Sequence, residues 1–359
     1  MVDKNETIFL FDLDGVLVKP GGYRKAVSAT LLHLQDWCGF RAPLPGESEM
    51  LFFESVGITS EWDMIALTLA AWLEAAAAQG SQVRAENYAD LRGLFQTGTT
   101  IQTNLLEWIS QFGERLSPGS TPSRAVLLAE SGKEALFPHL PAELLDSLLG
   151  HTDYFAFNPI SMLEENFVLG SAEFETYYQR AALVNTPSLL KQEDRALISP
   201  ELRDGLLQLH QEGRLKIAAM TARQALPENW RALSPGTCFP EGEMALDLVG
   251  LRSIPLIGYG HLLAAAQERG ESVDDWIKPS PLHALACCLA ALSTPEPLQA
   301  AWEFLHGKAR RLPGEIRLDI FEDATVGLRS GLAAAELLQS AGCAVEIHLW
   351  GIATSIEKD

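Results

Sequence analysis

Basic residues are scarce in this 359-residue chain: 27 Lys and Arg stand against 47 Asp and Glu, a formal net charge of −20. That deficit argues against binding nucleic acid through a basic surface and against docking on an anionic membrane. It also repels phosphorylated molecules at long range, so a metal or local positive groups would have to hold one. Long apolar runs are missing too. The most apolar helical stretches, Leu67 to Ala78 and Leu282 to Leu292, are too short to cross a bilayer, and Glu74 interrupts the first. The five cysteines (Cys38, Cys238, Cys287, Cys288, Cys343) are odd in number and lack paired metal-ligand spacing. No charged-then-apolar leader precedes the first apolar run, so a cytoplasmic protein with reduced thiols is expected. Internal repeats and low-complexity tracts are absent.

What is present is ordinary globular composition, 47% hydrophobic and 21% charged, in a chain long enough for more than one domain. From Gly21 to about Lys191 alternating strand patterns are rare. Helical periodicity covers Tyr23 to Trp37, a stretch opened by the capping-box pattern Ser60-Glu61-Trp62-Asp63, and Ala85 to Gln96, Ile101 to Arg115, Arg124 to Ser131, Pro141 to Leu149 and Ser171 to Leu183. Beyond it the pattern alternates. Strands are expected at Leu215 to Met220, Ser253 to Gly258, Glu315 to Phe321 and Ala344 to Trp350. Helices are expected after Ser199-Pro200, after Ser280-Pro281 and from Gly327 to Ala341. Such alternation implies a parallel sheet covered on both faces. The fold class is therefore α/β, a Rossmann-like parallel core (residues 1–20 and 195–359) interrupted after its first strand by a large, mainly helical domain (residues 21–194).

Chemistry is concentrated at Ile8-Phe9-Leu10-Phe11-Asp12-Leu13-Asp14-Gly15-Val16-Leu17. Ile8 to Phe11 reads as a strand buried on both faces. Two carboxylates then appear where it ends, and Gly15 breaks the backbone. Carboxylates this close repel unless a cation or proton lies between them. The stretch is either a polar strand end with a turn or a reactive pair at the sheet's carboxyl edge.

The hydrophobic run followed by Asp-x-Asp-Gly resembles the first motif of the haloacid dehalogenase-like (HAD) superfamily of phosphatases and phosphotransferases. Thr221, closing an apolar strand, looks like the second motif, although it also suits an ordinary turn. Lys278, in Trp276-Ile277-Lys278-Pro279-Ser280-Pro281, looks like the third, or else a surface lysine. Glu322-Asp323 looks like the fourth. Asp319 competes with that acidic pair but lies inside its strand and reads as structural. The resemblance covers the α/β part, and the helical block takes the position of the family's cap, between the first two motifs.

The resemblance implies a nucleophile at Asp12, a general acid and base at Asp14, phosphoryl contacts from Thr221, and charge neutralisation by Lys278. It implies Mg²⁺ held by Asp12, the Asp14 main-chain carbonyl and Asp323, with Glu322 bound directly or through water. Tyr23, Arg24 and Arg223 are candidate substrate contacts, although a surface or packing role suits each of them better. The expected activity is Mg²⁺-dependent hydrolysis of a small phosphorylated metabolite through an aspartyl-phosphate. A phosphomutase would use the same residues. A haloacid dehalogenase needs neither the second Asp nor a metal, and a silent binding protein has no reason to keep all the site residues. Ion-pumping ATPases of the family need membrane helices that this chain lacks.

Overall fold

The computed structural model describes residues 5–130, 134–308 and 314–352. The chain divides into two compact units, one of residues 1–21 and 193–359 and one of residues 22–192.

The first unit is an α/β layer structure. Five strands, β1 (Asn5–Phe11), β2 (Lys216–Met220), β3 (Leu256–Ile257), β4 (Glu315–Glu322) and β5 (Ala344–Gly351), form one all-parallel sheet. Their order is β3-β2-β1-β4-β5. The winding direction reverses at β1, and open α/β sheets place their binding crevice at that reversal, beyond the strands' carboxyl ends. The register puts Phe11 beside Ala219 on one side and Phe321 on the other.

Alternation along β1 sends Ile8 and Leu10 to one face and Phe9 and Phe11 to the other. On the first face they meet helices α3 (Tyr259–Gln267), α4 (Pro281–Ala291), α5 (Pro297–Leu305) and α6 (Thr325–Ser340) through Leu285, Phe304 and Ala335. On the second, Phe11 and Ile217 pack with Leu206 of the preceding helix Pro200–Gln211 and with Leu246 of helix Glu241–Val249. Pro255 leads into the edge strand β3, where a missing donor is tolerated. Outside the main sheet, Val18–Lys19 pairs antiparallel with Arg195–Ala196.

The second unit is mainly helical. Helix Gly22–Cys38 packs on Glu61–Ala78 and on Pro159–Leu169, and further helices include Glu47–Ser55, Leu105–Gly113, Pro122–Ala129 and Ala142–Leu149. Trp72 lies fully inside it, while Trp62 packs edge-on to Phe155 and Trp108 stacks on Phe137.

Several elements differ from the periodicity. The stretch from Ala85 to Gln96 holds only a short 3-10 turn, Tyr88–Leu91. The Asp90 carboxylate takes the amides of Glu86 and Asn87, local bonds that compete with a helix. Helix Ser171–Tyr178 stops five residues short of Leu183, and Ser131, the expected end of another helix, lies outside the described residues. Helix Pro159–Leu169 was not expected, because ten of its eleven residues are buried and no polar face marks its period. Its signal was Asn158-Pro159: the Asn158 side chain accepts the amides of Ile160 and Ser161. At Ser60 the capping box is not formed. Ser60 donates its hydroxyl to Asp63, whose buried carboxylate also takes the Ser123 amide at 3.1 Å and the Thr152 hydroxyl at 2.8 Å.

Leu10, fully buried on the central strand, sets an expectation for stability. Leu10→Ala should cost about 2–5 kcal/mol, read as a lowered midpoint in urea unfolding, and an unchanged midpoint would contradict this packing.

Candidate active site at the sheet's carboxyl edge

Asp12 continues the β1 ladder by one step, donating its amide to the Phe321 carbonyl at 3.0 Å. It is 6% exposed, and its Oδ1 accepts the Leu13 amide at 2.8 Å. The chain then closes a turn in which the amides of Leu17 and Val18 return to the Leu13 carbonyl at 2.9 and 2.7 Å. Gly15 is required there on two counts. Its φ of +70° is left-handed, and a Cβ would stand 2.1 Å from the Asp323 carboxylate.

Lys278 lies just before α4, preceding a cis bond to Pro279. Its Nζ is 2.9 Å from Asp12 Oδ2 and 2.5 Å from Glu322 Oε1. Its side chain is 6% exposed, so the surface-lysine reading is set aside. Glu322 ends β4 fully buried against Gly327, where a Cβ would fall 1.8 Å from Oε1. Asp12, Glu322 and Asp323 each bring a ligand oxygen within 4.8 Å of the others. Three carboxylates against one ammonium leave two negative charges, the balance that a divalent cation supplies. An all-oxygen donor set suits a hard ion such as Mg²⁺. Asp12, Glu322 and Asp323 could each offer such an ion an oxygen, Asp12 and Glu322 while also paired with Lys278.

Burial raises the Asp12 carboxyl most. The Lys278 ammonium opposes that rise, Glu322 and Asp14 add to it, and the pKa reaches about 7. For Lys278, burial works to lower the pKa, but the Asp12 and Glu322 carboxylates more than offset it, so the group stays an ammonium. Asp323 is raised by its own partial burial and by Glu322 beside it. His283, fully buried in the first turn of α4 with Nε2 3.1 Å from the Ile257 carbonyl, is pulled down to about 3 by burial and carries structure.

Thr221 follows β2, donating its amide to the Ile257 carbonyl at 3.1 Å, and is 1% exposed. Its Oγ1 accepts the Arg223 amide at 3.1 Å, and the Gln224 amide goes to Glu241 at 3.3 Å. Those two amides are therefore engaged within the protein. The hydroxyl proton of Thr221 and the Ala222 amide are the donors that this turn still offers.

Arg223 takes up a packing role. Its guanidinium is buried, gripping Asp14 through Nε and Nη2, and Nη2 also lies 2.8 Å from Asp194. It serves two carboxylates of the protein rather than a substrate anion. Asp194 was absent from the candidates, since Gln192-Glu193-Asp194-Arg195 looks like a solvated charge run. Tyr23 and Arg24 lie on helix Gly22–Cys38 of the second unit, where Arg24 pairs with Glu47 and Glu54 at 2.9 Å each. Those pairs engage its guanidinium within that unit. Asp319 accepts Arg317, Trp350 and His348 at 2.9, 2.9 and 3.2 Å, which is a structural role.

No family model matches the chain, and no curated protein matches it. It is similar to an X-ray structure determined as a target of the Northeast Structural Genomics Consortium. The TM-score is 0.61 at 16% identity, covering 96% of each chain, a likeness of fold alone.

The raised Asp12 carboxyl fixes a sign for the metal-free protein. With a folded pKa of about 7 against an ordinary 3.8, Asp12 supports the fold fully below the lower value, and that support is lost as pH rises to the upper one. In EDTA, wild type should lose more thermal stability than Asp12→Asn between about pH 4 and pH 7. Parallel curves would place the Asp12 carboxyl in the ordinary range.

Proposed function

We propose that the chain is a HAD-type phosphatase: a Rossmann-like core with a helical cap inserted between its first and second motifs, hydrolysing a small phosphorylated metabolite with Mg²⁺. The observation that carries this reading is the Lys278 ammonium shared between Asp12 and Glu322 at 2.9 and 2.5 Å. Three segments distant in sequence meet there, at the carboxyl ends of β1 and β4 and ahead of α4. Phosphoryl transfer asks a protein for positioning and charge, and this cluster supplies both.

Asp12 is the nucleophile. One of its oxygens attacks phosphorus while the bond to the leaving oxygen breaks, giving an aspartyl-phosphate. Asp14, past the turn and partly open to solvent, delivers a proton to the leaving oxygen. It then takes a proton from water, the water oxygen attacks phosphorus, and the acyl-phosphate bond breaks to return Asp12 and inorganic phosphate. Lys278 neutralises the nucleophile and an equatorial phosphoryl oxygen, and the Thr221 hydroxyl donates to a second. Mg²⁺, when held by Asp12, Asp323 and the Asp14 carbonyl, supplies the charge that lets one anion approach another. The helical unit, in the cap's position, selects the substrate and excludes bulk water. The five free thiols suit a reducing, cytoplasmic setting.

Hydrolysis of 4-nitrophenyl phosphate should require Mg²⁺ and stop on addition of EDTA. Asp12→Asn should reduce turnover at least about a thousandfold with the circular dichroism spectrum unchanged. Phosphoenzyme trapped by acid quench from wild type and absent from Asp12→Asn completes the test. Metal-independent turnover, or retained activity in the variant, would overturn the proposal.

A further inference from the structure

Asp14 does not stand alone at the mouth of the site. Arg223 Nε lies 3.1 and 2.9 Å from its two carboxylate oxygens, and Nη2 lies 2.5 Å from Oδ1. Oδ1 thus receives two donors and Oδ2 one, so both oxygens are held by the one guanidinium. The same Nη2 reaches Asp194 Oδ2 at 2.8 Å. The side chains of Arg223 and Asp194 are each 2% exposed, whereas that of Asp14 is 31% exposed. Two members of the chain are therefore locked inside the protein, and the third presents itself to solvent.

Asp194 is fixed in turn. Its Oδ1 accepts the Gly21 amide at 2.9 Å, and its own carbonyl accepts Arg195 at 2.8 Å. A guanidinium facing one carboxylate can pivot about that single contact, but held between two it has a fixed plane. The plane of Arg223 sets the direction of the Asp14 carboxyl.

We infer that Asp194 is a positioning residue for the reaction: acting through Arg223, it fixes the Asp14 carboxylate in the orientation that delivers a proton to the leaving group. This rests on the phosphatase reading above and extends it to a residue that touches neither phosphate nor metal. Misplacement of a reacting group by about 1 Å can cost on the order of a hundredfold. The loss should fall on the step that needs the proton. An activated leaving group departs without one, and a poor leaving group does not.

The first test needs no activity. In ¹⁵N NMR spectra of full-length protein, the Arg223 Nε–H should be visible and slow to exchange in wild type. It should exchange at least about tenfold faster in Asp194→Asn. Unchanged protection would mean that Asp194 does not fix the guanidinium, and the inference would fall. The second test compares 4-nitrophenyl phosphate with phenyl phosphate in the Mg²⁺-loaded enzyme. Asp194→Asn and Arg223→Lys should lower kcat on the phenyl ester about tenfold or more while changing the nitrophenyl ester less than about threefold. On an Asp14→Asn background, Asp194→Asn should add no further discrimination, since it acts through a group already removed. Equal losses on both esters, or a full additional loss in the double variant, would show a merely structural role. If wild type hydrolyses neither ester, the phosphatase reading fails by itself, and the NMR test still decides whether Asp194 orients Arg223 on Asp14.

Discussion

One ammonium between two buried carboxylates governs the site. A lysine taken out of water needs counter-charge, and Lys278 finds it in Asp12 and Glu322 from neighbouring strands of one sheet. Burial is what chiefly raises Asp12 towards neutrality, with the neighbouring Glu322 and Asp14 carboxylates adding to the rise. Electrostatics, not packing, sets the composition here.

Around that centre the fold provides rigidity. Parallel pairing of β1 with β2 and β4 sets Asp12 level with Glu322, with Thr221 one residue further along the adjacent strand. Glycines at 15 and 327 let carboxylates approach the main chain more closely than any side chain would permit. A second ion-pair chain, Asp14–Arg223–Asp194, stands beside the first, and the two divide the work of the proposed chemistry between charge and proton delivery.

How much of this was legible in the sequence depends on what each residue is next to. Asp12, Asp14, Thr221, Glu322 and Asp323 follow apolar runs, so the change from buried strand to polar residue marks them. Lys278 stands before a Ser-Pro helix start, which fixes its place along the chain. The sheet could be read for the same reason, since strands buried on both faces announce themselves as uninterrupted hydrophobics. Arg223 was visible, but its partners were not: the carboxylates it binds lie 209 and 29 positions away, and no local pattern encodes such distances. Asp194 sits among other charged residues and gave no signal at all. In the helical unit, Pro159–Leu169 escaped because full burial erases amphipathic periodicity, and Ala85 to Gln96 misled because side-chain carboxylates claimed the amides a helix would need.

The short ribbon joining Val18–Lys19 to Arg195–Ala196, with the Gly21 amide on Asp194 just beyond it, has an architectural meaning. The sheet-bearing unit sutures its own two severed strands before the chain departs at residue 22 and after it returns at 193. Whatever polypeptide is spliced between those points inherits a closed base. A lineage could exchange that entire passenger for another while the sheet-bearing unit kept its own geometry.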